Sequence, residues 1–283
     1  MFPIILKDGR TPEPETPIYF EAAANGVFEV RRTALFESVT RAVRGVPGLE
    51  DEHESCRLLA PRVPARIMEE ATAFFCDVFR TCDGEGVVLL FYNPDTREYR
   101  MQVPRQTIPV YRTHRGQWHA SLELRYEHGE RPQGTVRCGS IHSHAELSAY
   151  ASHTDCIDEE NLDGIHAVVG HLDRDRVSVA ASLTASGQRY AKSTYDLVEP
   201  FDMGRALAGG APTEWLERVQ LEYRANGQVW HRPLTDIVRS AQAKAGPRAH
   251  GVVRPTALAT PTDRHRLGNG EGDDGNRSID EPR

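Results

Sequence analysis

The chain has 283 residues, of which 41 are acidic and 34 basic, so its formal net charge is −7. Apolar residues make up 39% and charged residues 27%, a composition typical of globular proteins that excludes a collagen-like, membrane-embedded or wholly disordered chain. The acidic balance also argues against a general nucleic-acid coat, since binding phosphates needs a local excess of cations.

The first 55 residues are predicted to form a hairpin followed by a helix. Two β-type runs flank Asn25-Gly26, which is a strong signal for a hairpin turn. Apolar residues over 34–43 then recur every four positions, a spacing that favours a helix. We therefore expect a small α+β extension ahead of the main domain.

Residues 56–200 are predicted to form the main domain, of the α/β (α+β) class. Pro64 suits the first turn of a helix over 64–80, and the continuous apolar run 87–92 is typical of a strand covered on both faces. Further strands are predicted at 99–103, 108–112, 122–126, 136–143, 165–169, 177–183 and 188–191. This order of helices and strands predicts a mixed fold.

The pattern weakens after Glu199. Amphipathic helices are predicted over 214–223 and 234–243, which makes 201–243 a helical C-terminal segment. Residues 244–283 are rich in Gly, Pro, Arg and Asp and contain no aromatic residue, so this tail is predicted to be disordered.

The sequence favours a cytoplasmic protein. No apolar run approaches the ~20 residues of a membrane-spanning helix, and the start of the chain does not have the pattern of a signal peptide. The five cysteines are irregularly spaced and form no C-x-x-C pair, which favours free thiols in a reducing compartment.

A metal site is predicted where the histidines concentrate, since five of the twelve lie between residues 142 and 171. His142 and His144 are two apart at the end of a β-type run, so both imidazoles leave the same face of the strand. Such a pair can bind one Zn²⁺ at ~2.0–2.1 Å, and Asp155 beyond the next loop would complete three protein ligands. The open fourth position is typical of a catalytic zinc site.

Water at a zinc site needs a base, and Glu85 at the start of the buried strand is the best candidate. Glu21 and Glu123 are rivals on other β-type runs. Ser152, three residues before Asp155, shares its side of a helical turn and would hydrogen-bond the developing oxyanion. The alternative interpretation of Ser152 is a helix N-cap, which is common for serine.

Other polar residues near the motif have plainer interpretations. His166 is predicted to be a core histidine or a neighbour of the ligands, because a fourth ligand would close the site. The acidic run 158–160 is predicted to be a solvated face. Three aromatic residues, Trp118, Tyr126 and Tyr150, are candidates for framing a groove that binds an extended peptide.

The spacing His142-x-His144-x₇-Ser152-x₂-Asp155 resembles the H-x-H-x₇-S-x-x-D motif of the JAMM (MPN+) zinc metalloproteases. Upstream, the E-x-x-x-L-L segment that begins at Glu85 resembles the segment carrying the family's catalytic glutamate. The resemblance covers roughly residues 62–198, and all motif positions match.

This resemblance implies a curved mixed β-sheet flanked by helices, with a cytidine-deaminase-like core. It also implies zinc on the two histidines and the aspartate, general acid/base catalysis by Glu85 and oxyanion stabilisation by Ser152. One departure is Ala145, where many members have proline after the second histidine.

The family cleaves isopeptide or peptide bonds at the C-termini of ubiquitin and ubiquitin-like proteins. The start of the chain and the segment 139–145 also resemble a component of the bacterial PRTRC cassettes, which encode E1-like (ThiF-related), E2-like and ubiquitin-like proteins. A ubiquitin-like protein or its conjugate is therefore the expected substrate, with E1-like and E2-like proteins as partners. A non-catalytic MPN scaffold that binds these components is the alternative, and a DNA-associated relative of the RadC type ranks below it.

Overall fold

The computed structural model describes residues 2–44, 50–114, 116–121, 123–225 and 227–245. The strands and helices in this part of the chain form three sheets with helices packed against them. The mixed α+β class predicted from the sequence is confirmed. None of the described helices combines the length and the hydropathy needed to cross a bilayer.

The first sheet is N-terminal, with its strands side by side in chain order. They are β1 (Ile4–Leu6), β2 (Ile18–Ala23), β3 (Gly26–Arg32), β4 (Phe36–Arg44) and β5 (Ser55–Leu58). The predicted hairpin is β2–β3. The helix predicted over 34–43 is wrong, because that segment is β4, paired with both β3 and β5. Its buried residues Phe36, Ser38 and Thr40 alternate with a period of two, which is the period of a strand.

The six-stranded second sheet, here called the main sheet, carries the predicted metal site. Its strands are β6 (Val87–Asn93), β7 (Glu98–Gln102), β11 (Val136–Ser143), β12 (Gly164–Gly170), β13 (Ser178–Ala185) and β14 (Gln188–Lys192). The spatial order is β14-β13-β12-β11-β6-β7. Only β11 and β12 pair in parallel among these described strands. Each of these strands was predicted within two residues of its bounds.

The two faces of the main sheet differ in chemistry. One face contributes Leu90, Ile141 and Ile165 to the same buried core as the residues of α1 (Ala65–Cys82), the helix predicted over 64–80. Strand alternation places a row of polar side chains on the opposite face, namely Ser140, His142, His166 and Ser182. The short helix α2 (His153–Glu159) lies over this polar face.

The third sheet joins the middle of the chain to its C-terminal part. It contains β8 (Gln106–Arg112), β10 (Arg125–Tyr126), β15 (Val219–Ala225) and β16 (Gln228–Pro233), with β9 (Trp118–Ala120) paired to β8. The segment 201–243 is therefore not purely helical. The helix predicted over 214–223 is wrong, because only α5 (Thr213–Leu216) is helical and β15 follows it, with Val219 and Leu221 fully buried against β8.

Three further helices complete the described chain. They are α3 (Thr194–Leu197), α4 (Met203–Ala208) and α6 (Leu234–Ala245). The last of these is the helix predicted over 234–243. Apart from residues 244 and 245, which belong to α6, the tail predicted to be disordered lies outside the described residues.

Candidate metal centre

Three side chains that are distant in sequence meet at the end of β11. The Nε2 atoms of His142 and His144 lie 3.3 Å apart. His144 Nε2 is 3.2 Å from Asp155 Oδ2, and His142 Nε2 is 3.3 Å from Asp155 Oδ1. The structure therefore brings together the three residues that the sequence predicted as ligands, and the cluster could hold a metal ion.

The dimensions of this cluster fit a tetrahedral cation. Ligands ~2.0–2.1 Å from a metal at tetrahedral angles are about 3.3 Å from one another. The two Nε2 atoms already have this spacing, and each lies 3.2–3.3 Å from one of the two Asp155 oxygens. The cluster therefore offers two imidazole nitrogens and a carboxylate, ligands that suit zinc-type ions. His144 is buried, and the other two residues are only partly exposed. The residues present thus fit a bound divalent metal.

A bulge in β11 aims the histidines at this cluster. The pairing between β11 and β6 shifts by one residue between Arg137 and Gly139. Gly139 has φ 141°, and a Cβ there would lie 1.7 Å from the carbonyl oxygen of Ile165, so only glycine fits. The chain then turns at Ala145 with φ 45°, a value that the proline ring forbids. The loop after His144 is therefore shaped for a residue other than proline.

Asp155 is oriented by the start of its own helix. Ser152 is the N-cap of α2, and its Oγ accepts a hydrogen bond of 3.1 Å from the Asp155 N–H. In return, the Ser152 N–H donates to Asp155 Oδ2 at 2.7 Å, which completes a capping box. Ser152 is therefore an N-cap beside the ligand cluster, and the cap leaves its hydroxyl proton available for another acceptor.

The electrostatics of the cluster favour an ionised aspartate. Burial alone would raise the pKa of the Asp155 carboxyl, but hydrogen bonds from His142 and His144 outweigh it and hold this pKa well below its usual range. Asp155 is therefore available as an anionic ligand across the physiological pH range.

Glu85 is a buried carboxyl close to the same cluster. It is 9% exposed, and burial raises its pKa to about 8, an effect that His142 opposes and Asp155 reinforces. The adjacent Gly86 is fixed to the end of β11, because its N–H donates to Ser143 Oγ and its carbonyl accepts from the Ser143 N–H, both at 2.9 Å. Of the two rival glutamates, Glu21 lies on β2 of the first sheet and pairs with Lys7, and Glu123 is exposed.

The acidic run 158–160 was predicted to be a solvated face, but this is wrong for Glu159, which is only 6% exposed. Its carboxylate forms an ion pair with Arg189 of β14 and lies 3.4 Å from His166 Nδ1. Burial raises the pKa of Glu159, and Arg189 opposes this effect. The sequence signal that could have revealed Glu159 is its position four residues after Asp155, on the same helix face.

His166 is a buried neighbour of the cluster. Burial lowers its pKa to about 3, so the imidazole is neutral at physiological pH. Its Nε2 donates to the Leu162 carbonyl at 2.9 Å, and its Nδ1 accepts from the Ser140 hydroxyl at 3.0 Å. Both ring nitrogens are occupied, which agrees with the prediction that His166 is not a ligand.

The predicted aromatic residues are distributed over two places. The Tyr150 ring contacts His144 edge-on, with centroids 4.9 Å apart. Trp118 and Tyr126 belong to strands of the third sheet, where Trp118 packs against Tyr223 and Trp230. Only Tyr150, of these three described residues, contacts a residue of the ligand cluster.

No protein-family model matches the chain, and no curated protein is significantly similar to it. The geometry of the ligand cluster therefore has to carry the functional inference.

Proposed function

We propose that the protein is a JAMM-type (MPN+) zinc metallopeptidase that cleaves an isopeptide or peptide bond at the C-terminus of a ubiquitin-like protein. One observation supports this most: the Nε2 atoms of His142 and His144 lie 3.3 Å from each other and 3.2–3.3 Å from the carboxylate oxygens of Asp155, beside a buried carboxyl whose pKa is raised to about 8. The three proposed ligands and the proposed base are the residues that the sequence motif singles out.

The roles follow from the chemistry of each side chain. His142, His144 and Asp155 would bind Zn²⁺, which when bound supplies Lewis acidity that activates water near pH 7 and polarises a carbonyl. Glu85 takes one proton from the attacking water as the new C–O bond forms. It then gives this proton to the leaving amine as the C–N bond breaks, and a pKa close to the working pH suits both steps.

Ser152 is placed to assist at the carbonyl oxygen. Its Oγ accepts from the helix backbone through a lone pair, so its own proton is free to donate to an oxyanion. One such donor typically contributes a factor of about 10²–10³ to kcat. The capping function and the catalytic function of this serine are therefore compatible.

The fold agrees with the proposal. The main sheet is mixed and has α1 against one face and α2 over the other, which supports the proposal because the resemblance implies a mixed sheet flanked by helices. Extended peptide tails often bind by adding a strand to a sheet edge, and the edges of the main sheet are β7 and β14. The tail of a ubiquitin-like protein is thus the proposed ligand, with E1-like and E2-like proteins as cassette partners. The free cysteines suit the cytoplasm as the place of reaction.

The decisive experiment separates metal binding from hydrolysis. Glu85→Gln removes the proton carrier but none of the proposed ligands, so it should keep about one zinc per chain and lose cleavage of a ubiquitin-like protein fused to a reporter through Gly-Gly. Glu123→Gln, at an exposed rival position, is the matched control and should behave like the wild type. Wild-type turnover by Glu85→Gln would reject the base assignment.

Zinc content distinguishes the enzyme from a non-catalytic scaffold. Three preorganised ligands should retain the ion through purification, so less than about 0.2 zinc per chain after zinc-replete expression would favour the scaffold.

A further inference from the structure

The helix that carries the aspartate ligand is not held by apolar packing. Among the seven described residues of α2, only Glu159 is buried. Ile157, its one large apolar side chain, is 54% exposed. A helix of two turns is unstable by itself in water, and helices in proteins are normally stabilised by burying an apolar face. The position of α2 must therefore depend on polar contacts.

Glu159 supplies such a contact to β14 directly and reaches β13 through its partner Arg189. It pairs with Arg189 of β14. Its second carboxylate oxygen lies 3.4 Å from His166 Nδ1 of β12 without a hydrogen bond, since that nitrogen already accepts from Ser140. Arg189 also donates to Ser182 Oγ of β13, and Ser182 stands opposite His166 in the sheet. Glu159, His166 and Ser182 are each at most 6% exposed. One buried carboxylate thus links the end of α2 to the polar face of the main sheet.

His166, which lies beside this network, is hydrogen-bonded to the strand of the histidine ligands. The Ser140 hydroxyl donates to His166 Nδ1 at 3.0 Å. Ser140 precedes His142 by two residues in β11, so the two side chains share one face of the strand. The network around Glu159 and the ligand cluster therefore lie side by side beneath the same helix.

We propose that Glu159 is a positioning residue of the metal centre, acting through Arg189 to fix Asp155. Asp155 is one helical turn before Glu159, on the same face, and lies between two anchors: the Ser152 capping box at one end and the Glu159–Arg189 pair at the other. Loss of the Glu159–Arg189 anchor lets the carboxylate leave the two imidazoles. This inference rests on the metal site proposed above, and it assigns a role to a charge that does not touch the ion.

The test measures zinc affinity of the full-length chain by competition with a chromogenic chelator. Glu159→Ala should weaken Zn²⁺ binding by about 10–100-fold, the usual effect of removing a residue that orients a ligand. Glu160→Ala alters the exposed neighbour at the end of the same helix and should change the affinity less than about 2-fold. Glu159→Gln keeps an acceptor for Arg189 without the charge, so it should partly rescue binding.

Two further variants separate positioning from general destabilisation. Leu221→Ala opens a cavity in the third sheet and should lower the thermal midpoint without changing zinc affinity. Arg189→Met removes the partner of Glu159 and should reproduce the loss of zinc affinity. This variant provides the test if Glu159→Ala does not fold. Without metal, amide hydrogen exchange over 153–159 should accelerate in Glu159→Ala and Arg189→Met but not in Leu221→Ala.

The possible results lead to different conclusions. Weaker zinc binding and faster α2 exchange in both network variants support the positioning role. Wild-type zinc affinity in folded Glu159→Ala or Arg189→Met overturns that role and leaves the metal site in place. A wild-type protein that does not bind zinc rejects the proposed function itself, whatever the exchange data show.

Discussion

The buried carboxyl of Glu85 should destabilise the metal-free protein at neutral pH. Its pKa is about 8 in the folded chain, against an ordinary value of 4.5. Between these two values the folded state keeps a proton that the unfolded state has released. Folding therefore takes up a proton in this window, and the stability contributed at Glu85 falls as the pH rises from about 4.5 to 8.

The size of the effect follows from the width of that window. Each pKa unit corresponds to about 1.4 kcal/mol. At pH 7.5 the carboxyl costs the folded state about 4 kcal/mol relative to a neutral side chain, and at pH 5 it costs about 1 kcal/mol. Glu85→Gln has no titrating group at this position. The difference in free energy of unfolding between Glu85→Gln and the wild type should therefore grow by about 3 kcal/mol, in favour of the variant, from pH 5 to pH 7.5.

The assay is urea unfolding of both proteins at the two pH values, with a chelator present throughout. Glu123→Gln is the control, because its exposed carboxylate should give a pH-independent difference of a few tenths of a kcal/mol. Without the chelator, added Zn²⁺ should reduce the difference in stability between Glu85→Gln and the wild type at pH 7.5, since a nearby cation lowers the pKa of a carboxyl. An equal gap between Glu85→Gln and wild type at pH 5 and pH 7.5 would refute the raised pKa.

Two further substitutions test how the centre is built. Ser152→Ala removes the side-chain N-cap of α2 and should cost about 1 kcal/mol of stability. Zinc should stay bound while kcat falls about 10²-fold or more. An unchanged kcat would show that the serine acts as a helix cap alone. Gly139→Ala forces a Cβ against the Ile165 carbonyl and should lower stability by roughly 3 kcal/mol or more, measured as a large drop in Tm. A Tm close to that of the wild type would contradict the backbone conformation described at Gly139.

The two wrong helix predictions have the same physical origin. They relied on apolar residues four positions apart, such as Leu35 with Val39 and Val219 with Tyr223. Four residues is close to one helical turn, but it is also an even number, so both residues of such a pair share a face in a strand as well. The spacing could not distinguish the two structures, and pairing with β3 or β8 decided for the strand. In the main sheet the continuous apolar run 87–92 was correctly predicted to be a strand, β6.

The ligand cluster was predictable because its information is local. His142 and His144 share a strand end, and Ser152 and Asp155 share a helical turn, so the motif places each pair before any tertiary contact is known. Glu159 was not predictable in this way. Its burial depends on Arg189, thirty residues further along the chain on another strand, and an acidic run at a helix end is usually exposed.

The bulge in β11 determines which face of the main sheet can bind a metal. Before the bulge, Arg137 pairs with Phe91; after it, His142 pairs with Val87, so the strand has gained one residue relative to β6. Without that extra residue, Ile141 would stand opposite Val87, and His142 would point into the apolar core against α1. The glycine at position 139 is therefore as necessary to the centre as the ligands, because it sets the alternation that sends the imidazoles to the polar face and the isoleucine to the core.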